Sequence, residues 1–168
     1  GAINAMRELH AQIRREVAHI EHALAPLALQ PVLLKGAAYL VAGAAAALGR
    51  TFDDVDLLVP RERLGQTEAQ LMMGGWITTH LTPYDQRYYR EWMHELPPMV
   101  NRQRATVVDV HHNLLPLSAR HVPDAELLLA HALLHHLIDD LAENVAAGAE
   151  AAGLLAALQL VGALLEQA

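Results

Sequence analysis

"GRTFDDVDLLVP", residues 49–60, sets three acids within four positions and then runs into Leu57, Leu58 and Val59. Strand-forming residues bounded by Gly49 and Pro60 predict a β-strand over 53–59. Side chains two apart on a strand share a face, roughly 6–7 Å from each other at a rise of ~3.3 Å per residue. Asp54 and Asp56 therefore point one way, Val55 and Leu57 the other. Two ionised carboxylates at that spacing repel by about 2–3 kcal/mol at an effective dielectric near 20. A core is also a costly place to leave them. A divalent cation between them reverses the sign of that repulsion, and Mg²⁺ is held by a few carboxylates together with substrate phosphates. Acids at a strand start also cap turns and face water, and that reading stays open for Asp53 and, taken alone, for Asp54 and Asp56.

A third acid stands in "RATVVDVHHNL", residues 104–114. Val108 and Val110 share one face of that predicted strand, and Val107, Asp109 and His111 share the other. If it lies beside the first strand, Asp54, Asp56 and Asp109 converge. Three carboxylates suffice for two metal ions about 3.5–4 Å apart, the arrangement that serves in-line phosphoryl chemistry.

Working outward, Ile3, Met6, Leu9, Ile13, Val17, Ile20 and Leu24 recur at three- and four-residue steps and predict an amphipathic helix over 3–25. "PVLLKG", residues 31–36, predicts a short buried strand, and the Ala-rich 37–48 a small-residue helix closed by Gly49. Residues 61–73 predict a helix stopped by Gly74 and Gly75, and "WITTHL", 76–81, a strand before a turn at Pro83. "RYYREWMHEL", 87–96, is expected as a strand pairing antiparallel with 104–114 across Pro97–Pro98. Two helices, 124–146 and 149–166, follow Pro123. The pattern predicts an α+β (α/β-like) fold, a mixed β-sheet with helices on one side and a C-terminal helical pair. The domain organisation expected is 1–121 and 122–168.

"LLKGAAYL" has the form strand, Lys35–Gly36, helix, which lets a backbone approach a phosphate. Of 12 basic residues eleven are Arg, so Lys35 is the one lysine in the chain, and a compact ammonium suits phosphate. Arg50 is a second candidate cation for a triphosphate.

Taken together, "VLLKGAAYL", "GRTFDDVDLLVP" and "VVDVHH" resemble the nucleotidyltransferase families of the DNA polymerase beta superfamily. The resemblance is closest to an uncharacterised bacterial branch whose signature begins Lys-Gly-small-small and continues to an Asp-hydrophobic-Asp strand. It covers roughly residues 10–115. It implies a nucleotidyltransferase core, with Asp54, Asp56 and Asp109 as catalytic metal ligands for Mg²⁺ (or Mn²⁺). Gly36 with Ala37 stands in place of the Gly-Ser turn at the nucleotide phosphates. Ala37 lacks the serine hydroxyl, so backbone N–H groups or Lys35 would substitute. The implied reaction is attack of a hydroxyl on the α-phosphate of an NTP co-substrate, with release of pyrophosphate.

Other features bound the partners. The net charge of −7 over 168 residues works against nucleic acid. The chain has no cysteine, which fits a reducing cytoplasm, and the opening "GAINAMRELH" lacks the regions of a signal peptide. Its apolar stretches are shorter than the roughly 18–20 residues a spanning helix needs. Tyr88, Tyr89 and His94, the last in "HELPPM", are acceptor-side candidates. The Ala- and Leu-rich last helix is a candidate homodimer contact. Two rival functions are carried forward. One is a non-catalytic nucleotide- or partner-binding relative on the same fold. The other is a metal hydrolase using His131, His135 and Asp139, which share a helical face, with His136 and Asp140 beside them.

Overall fold

Periodic apolar residues at the N-terminus bury one stripe of a helix, α1 (Ala2–Leu24), through Ile13, Val17, Ile20 and Leu24. A computed structural model describes residues 2–79 and 82–133 of the chain. After α1 come β1 (Val32–Leu34), α2 (Lys35–Val41), β2 (Asp54–Leu58), α3 (Leu64–Met73) and β3 (Trp76–Thr78). Then follow α4 (Pro83–Trp92), β4 (Met99–Asn101) and β5 (Thr106–His111).

The five strands form one mixed sheet in the order β1-β2-β5-β4-β3. The central pair, β2 and β5, is parallel, and the other pairings are antiparallel. Alternation splits the sheet's two faces. Val55, Leu57, Val108 and Val110 enter the core with the buried stripe of α1, Ala37 and Leu40 of α2, and Leu71 of α3. The opposite face of the same two strands carries Asp54, Asp56, Asp109 and His111. This is the expected α+β architecture.

Three expectations need correction. The segment 87–96 is not a strand: most of it belongs to α4. Thr82 caps that helix, its Oγ1 accepting from the Asp85 N–H at 3.1 Å, and Pro83 takes the first turn, where its missing N–H costs nothing. At helical spacing Tyr84 then stacks on Tyr88, and Trp92 meets Tyr88 edge to face. The strand beside β5 is β4 instead, just after the two prolines. Likewise the Ala-rich helix ends at Val41, not at Gly49. Gly43, at φ 64°, closes it, with Gly43 N–H on Leu40 C=O and Ala44 N–H on Tyr39 C=O. That is the double closure of a Schellman motif, and glycine reaches the left-handed region without a Cβ penalty.

Pro97–Pro98 re-aims the chain. Glu95 bridges to His111, while Met99 pairs with Val108, so residues 95–99 oppose only residues 108–111. One extra residue makes this a bulge, at a place where neither proline has an N–H for the ladder. In a regular strand Glu95 would share Met99's face, in the core. The bulge turns it to the His111 side, while Leu96 and Met99 stay buried in the core.

Residues Gly1–Pro123 form the first compact unit, and a second begins at Asp124. Asp124 Oδ1 accepts from the N–H groups of Glu126 and Leu127 and so caps a helical stretch, residues 125–133. His135, His136, Asp139 and Asp140, and with them most of the expected helical pair, lie outside the described residues. No helix among the described residues is long and apolar enough to cross a membrane.

Candidate functional site

The register of β2 on β5 decides the site. Asp56 lies directly beside Asp109, and Asp54 beside Val107. Parallel neighbours project to the same side, so the i, i+2 pair on β2 meets the single acid of β5. Carboxylate oxygens of Asp54, Asp56 and Asp109 all lie within 4.8 Å of one another. Asp56 is the most enclosed, 2 % exposed; the other two are half-buried.

Their environments separate the three acids. Asp56 Oδ1 accepts from Lys35 Nζ and faces His111 Nε2 at 2.8 Å. Burial works against its charge, but the His111 and Lys35 contacts outweigh burial and hold its carboxyl below the usual range. Asp54 moves the other way, pushed up by burial and by the charges of Asp56 and Asp53. Asp109 is pushed up to about 6, by burial first and then by Glu95, Asp56 and Asp54. Its Oδ1 is buried without a hydrogen-bond partner.

An all-oxygen donor set with one orphaned, buried acceptor suits a hard divalent cation such as Mg²⁺ or Mn²⁺. A cation would meet the unmet acceptor and lower the mutual repulsion that raises Asp54 and Asp109. The residues present fit such an ion.

Lys35 reaches this cluster through an unusual backbone. Its φ is 49°, in the left-handed region that side chains with a Cβ rarely adopt. The turn delivers its ammonium onto Asp56 while the side chain stays 62 % exposed. Burial alone would lower its pKa, but Asp56, with Asp109 and Asp54 behind it, raises it. Gly36 follows because nothing larger fits: a Cβ there would lie 2.2 Å from Phe52 Cδ1. Ala37 has its methyl in the core, so only its backbone is available to a ligand. Arg50 is not brought onto the acids; its guanidinium lies 5.7 Å from the centroid of the Phe52 ring.

Of the acceptor-side candidates, Tyr89 has its hydroxyl pKa pushed up by burial, then by Glu95 and Asp109, which places it in electrostatic reach of the cluster. Tyr88 packs among the α4 aromatics, stacked on Tyr84 and edge-on to Tyr89 and Trp92. The His94 ring centroid lies 5.2 Å from that of His111. His131 is described and exposed.

Two residues at the site had no role in the sequence reading. His111 shares Asp109's face by alternation but carries no task there, and Glu95 enters only as the neighbour of His94 in "HELPPM". Its placement depends on the bulge, which no local pattern announces.

The match to known families agrees with this geometry. The family described as "Uncharacterised nucleotidyltransferase" matches residues 1–139. The chain belongs to that family. No curated protein and no solved structure matches it significantly.

Proposed function

We propose that the chain is a metal-dependent nucleotidyltransferase. It moves a nucleoside monophosphate from an NTP to a hydroxyl of a small molecule or a protein and releases pyrophosphate. The observation that supports this reading above all others is the convergence of three carboxylates from β2 and β5 within 4.8 Å.

Asp54, Asp56 and Asp109 hold the Mg²⁺ or Mn²⁺. When bound, the cation neutralises phosphate charge and the charge that develops in the transition state. Lys35 leaves Asp56 for the phosphates, which its exposed stem allows, and the backbone N–H groups at Gly36 and Ala37 face the same anion. Arg50, whose Phe52 platform also abuts Gly36, is the outer cation for the triphosphate tail. The acceptor oxygen forms a bond to the α-phosphorus as the bond to the bridging oxygen of pyrophosphate breaks. Asp109, whose Oδ1 has no hydrogen-bond partner within the fold, is the carboxylate left to take the acceptor's proton. Tyr88, Tyr89 and His94 stand on the acceptor side. The net charge of −7 argues for acceptors other than nucleic acid, and the lack of cysteine for action in the cytoplasm.

The test is a thermal-shift panel of the four NTPs with and without Mg²⁺, followed by pyrophosphate release with the stabilising nucleotide. Stabilisation is expected to need nucleotide and metal together, and Asp54→Asn is expected to cut release at least a hundredfold while the chain stays folded. Absence of any joint stabilisation would overturn the reading in favour of a non-catalytic relative.

A further inference from the structure

Beside the acids, on the same end of β5, lies a second cluster of different chemistry. His94, Glu95 and His111 each offer a ligand atom, and these atoms lie within 4.8 Å of one another. His111 is 1 % exposed and has its Nδ1 buried without a hydrogen-bond partner. That nitrogen nevertheless sits 3.1 Å from Glu95 Oε2, which is itself 3.8 Å from His94 Nε2. His94 Nδ1 is likewise buried and unpartnered. His94 turns its other nitrogen, Nε2, toward Glu95, so the orphan at the carboxylate is His111 Nδ1, and a buried polar atom left so is costly unless something joins the pair.

We infer that His94, Glu95 and His111 form a binding site for a Zn²⁺-class transition-metal ion, separate from the all-oxygen acid cluster. Zinc bonds of ~2.0–2.1 Å in tetrahedral geometry put neighbouring ligand atoms roughly 3.3–3.4 Å apart. The two separations here, 3.1 and 3.8 Å, bracket that value. Two imidazoles and one carboxylate are a donor set that imidazole-preferring metals favour over Mg²⁺, and three protein ligands leave a fourth position open. The outer contact is also in place. His111 turns its Nε2 to Asp56 Oδ1 at 2.8 Å, which leaves Nδ1 for the ion, the carboxylate–histidine–metal relay that fixes tautomer and ring orientation.

The backbone holds the ligands in position before any ion arrives. Glu95 is the bridge partner of His111, and His94 C=O accepts from the His112 N–H at 2.8 Å. The bulge at Pro97–Pro98 supplies the turn that brings Glu95 to this face. Asp56 thus belongs to both centres, facing the acid cluster directly and the histidine cluster through His111. The site stands whether or not the chain transfers nucleotides. It also gives His94 a defined partner at the acceptor side.

The rival account is a protonated His111 bridging Asp56 and Glu95 with no ion at all. The test uses the full chain, stripped with chelator, titrated with Zn²⁺ alone in excess Mg²⁺ and followed by calorimetry. One tight equivalent is expected, with affinity falling at least tenfold in Glu95→Gln and in His94→Gln and changing less than threefold in Asp54→Asn. X-ray absorption of the zinc-loaded wild-type chain is expected to show two imidazole ligands and needs no variant to fold. No tight equivalent, or no imidazole at the ion, would overturn the site in favour of the bridging imidazolium. Loss of binding only in Asp54→Asn would move the ion to the acids. Loss only when His131 and His135 are replaced would move it to the C-terminal region. Each of these results is independent of whether pyrophosphate is released.

Discussion

Asp109 shows most directly what pairing β2 with β5 does to a single side chain. Its carboxyl titrates at about 6 in the fold against 3.8 for an unperturbed aspartate. The folded chain therefore binds the proton more tightly than the unfolded one, so stability falls as pH rises from about 4 to about 6 and stays lower above. Allowing for its partial solvent access, the ionised side chain costs roughly 1 kcal/mol at pH 8 in metal-free buffer. Asp109→Asn is expected to raise Tm by about 2–4 °C there, with no gain at pH 4. Adding Mg²⁺ should stabilise the wild-type chain and leave the variant unmoved; differential scanning calorimetry at the two pH values reads both effects. At this scale much of the site was legible in the sequence. A two-residue spacing fixes which side chains share a strand face, so Asp54 and Asp56 were bound to agree. Asp109 stood out as the one acid in an apolar alternation. Glu95 was hidden, because its direction depends on cross-strand register and not on its neighbours in sequence.

Elements were less legible where two propensities competed. Tyr88, Tyr89 and Trp92 are strand formers by preference, and that preference favoured a strand over 87–96. Pro83, expected at a turn, instead takes the first turn of α4 with Thr82 as its cap, and capping together with aromatic contacts at four-residue steps prevailed. β4, at three residues, was too short to signal beside two prolines. The α2 turn can be tested as an element. A methyl at Gly36 would meet Phe52, itself buried in the core. Gly36→Ala is expected to cost about 1–3 kcal/mol, visible as a lower denaturation midpoint in urea. In a Phe52→Leu background the same change should cost at least about 1 kcal/mol less, because the double-mutant cycle isolates the ring contact. Equal costs in both backgrounds would show that the turn tolerates a side chain and that Phe52 does not constrain it.

Across the first compact unit, one polar tie spans 88 positions of sequence. Arg104, in the β4–β5 turn, grips Glu16 of α1 through two hydrogen bonds at 2.6 and 3.2 Å. Its guanidinium also lies 4.7 Å from the centroid of the Trp76 ring. Glu16 is 1 % exposed, so losing its partner leaves a carboxylate buried in the helical layer. Arg104→Ala is expected to cost about 3 kcal/mol, or roughly 6–12 °C in Tm, and Glu16→Gln/Arg104→Ala together less than the single change. Thermal melts of the three variants decide it. The amphipathic pattern of α1 predicted its apolar stripe but not Glu16 within it, since the partner comes from the β4–β5 turn, distant in sequence.

The lone lysine has a practical corollary. The chain carries one amine side chain, and because Lys35 rests against Asp56 that amine stands at the acidic cluster. Acylating reagents aimed at amines have no other side chain to modify, so at alkaline pH a fluorophore or a photo-crosslinker can be seated there once the more acidic α-amine has been blocked. Occupancy by an anionic ligand would then register as protection from labelling.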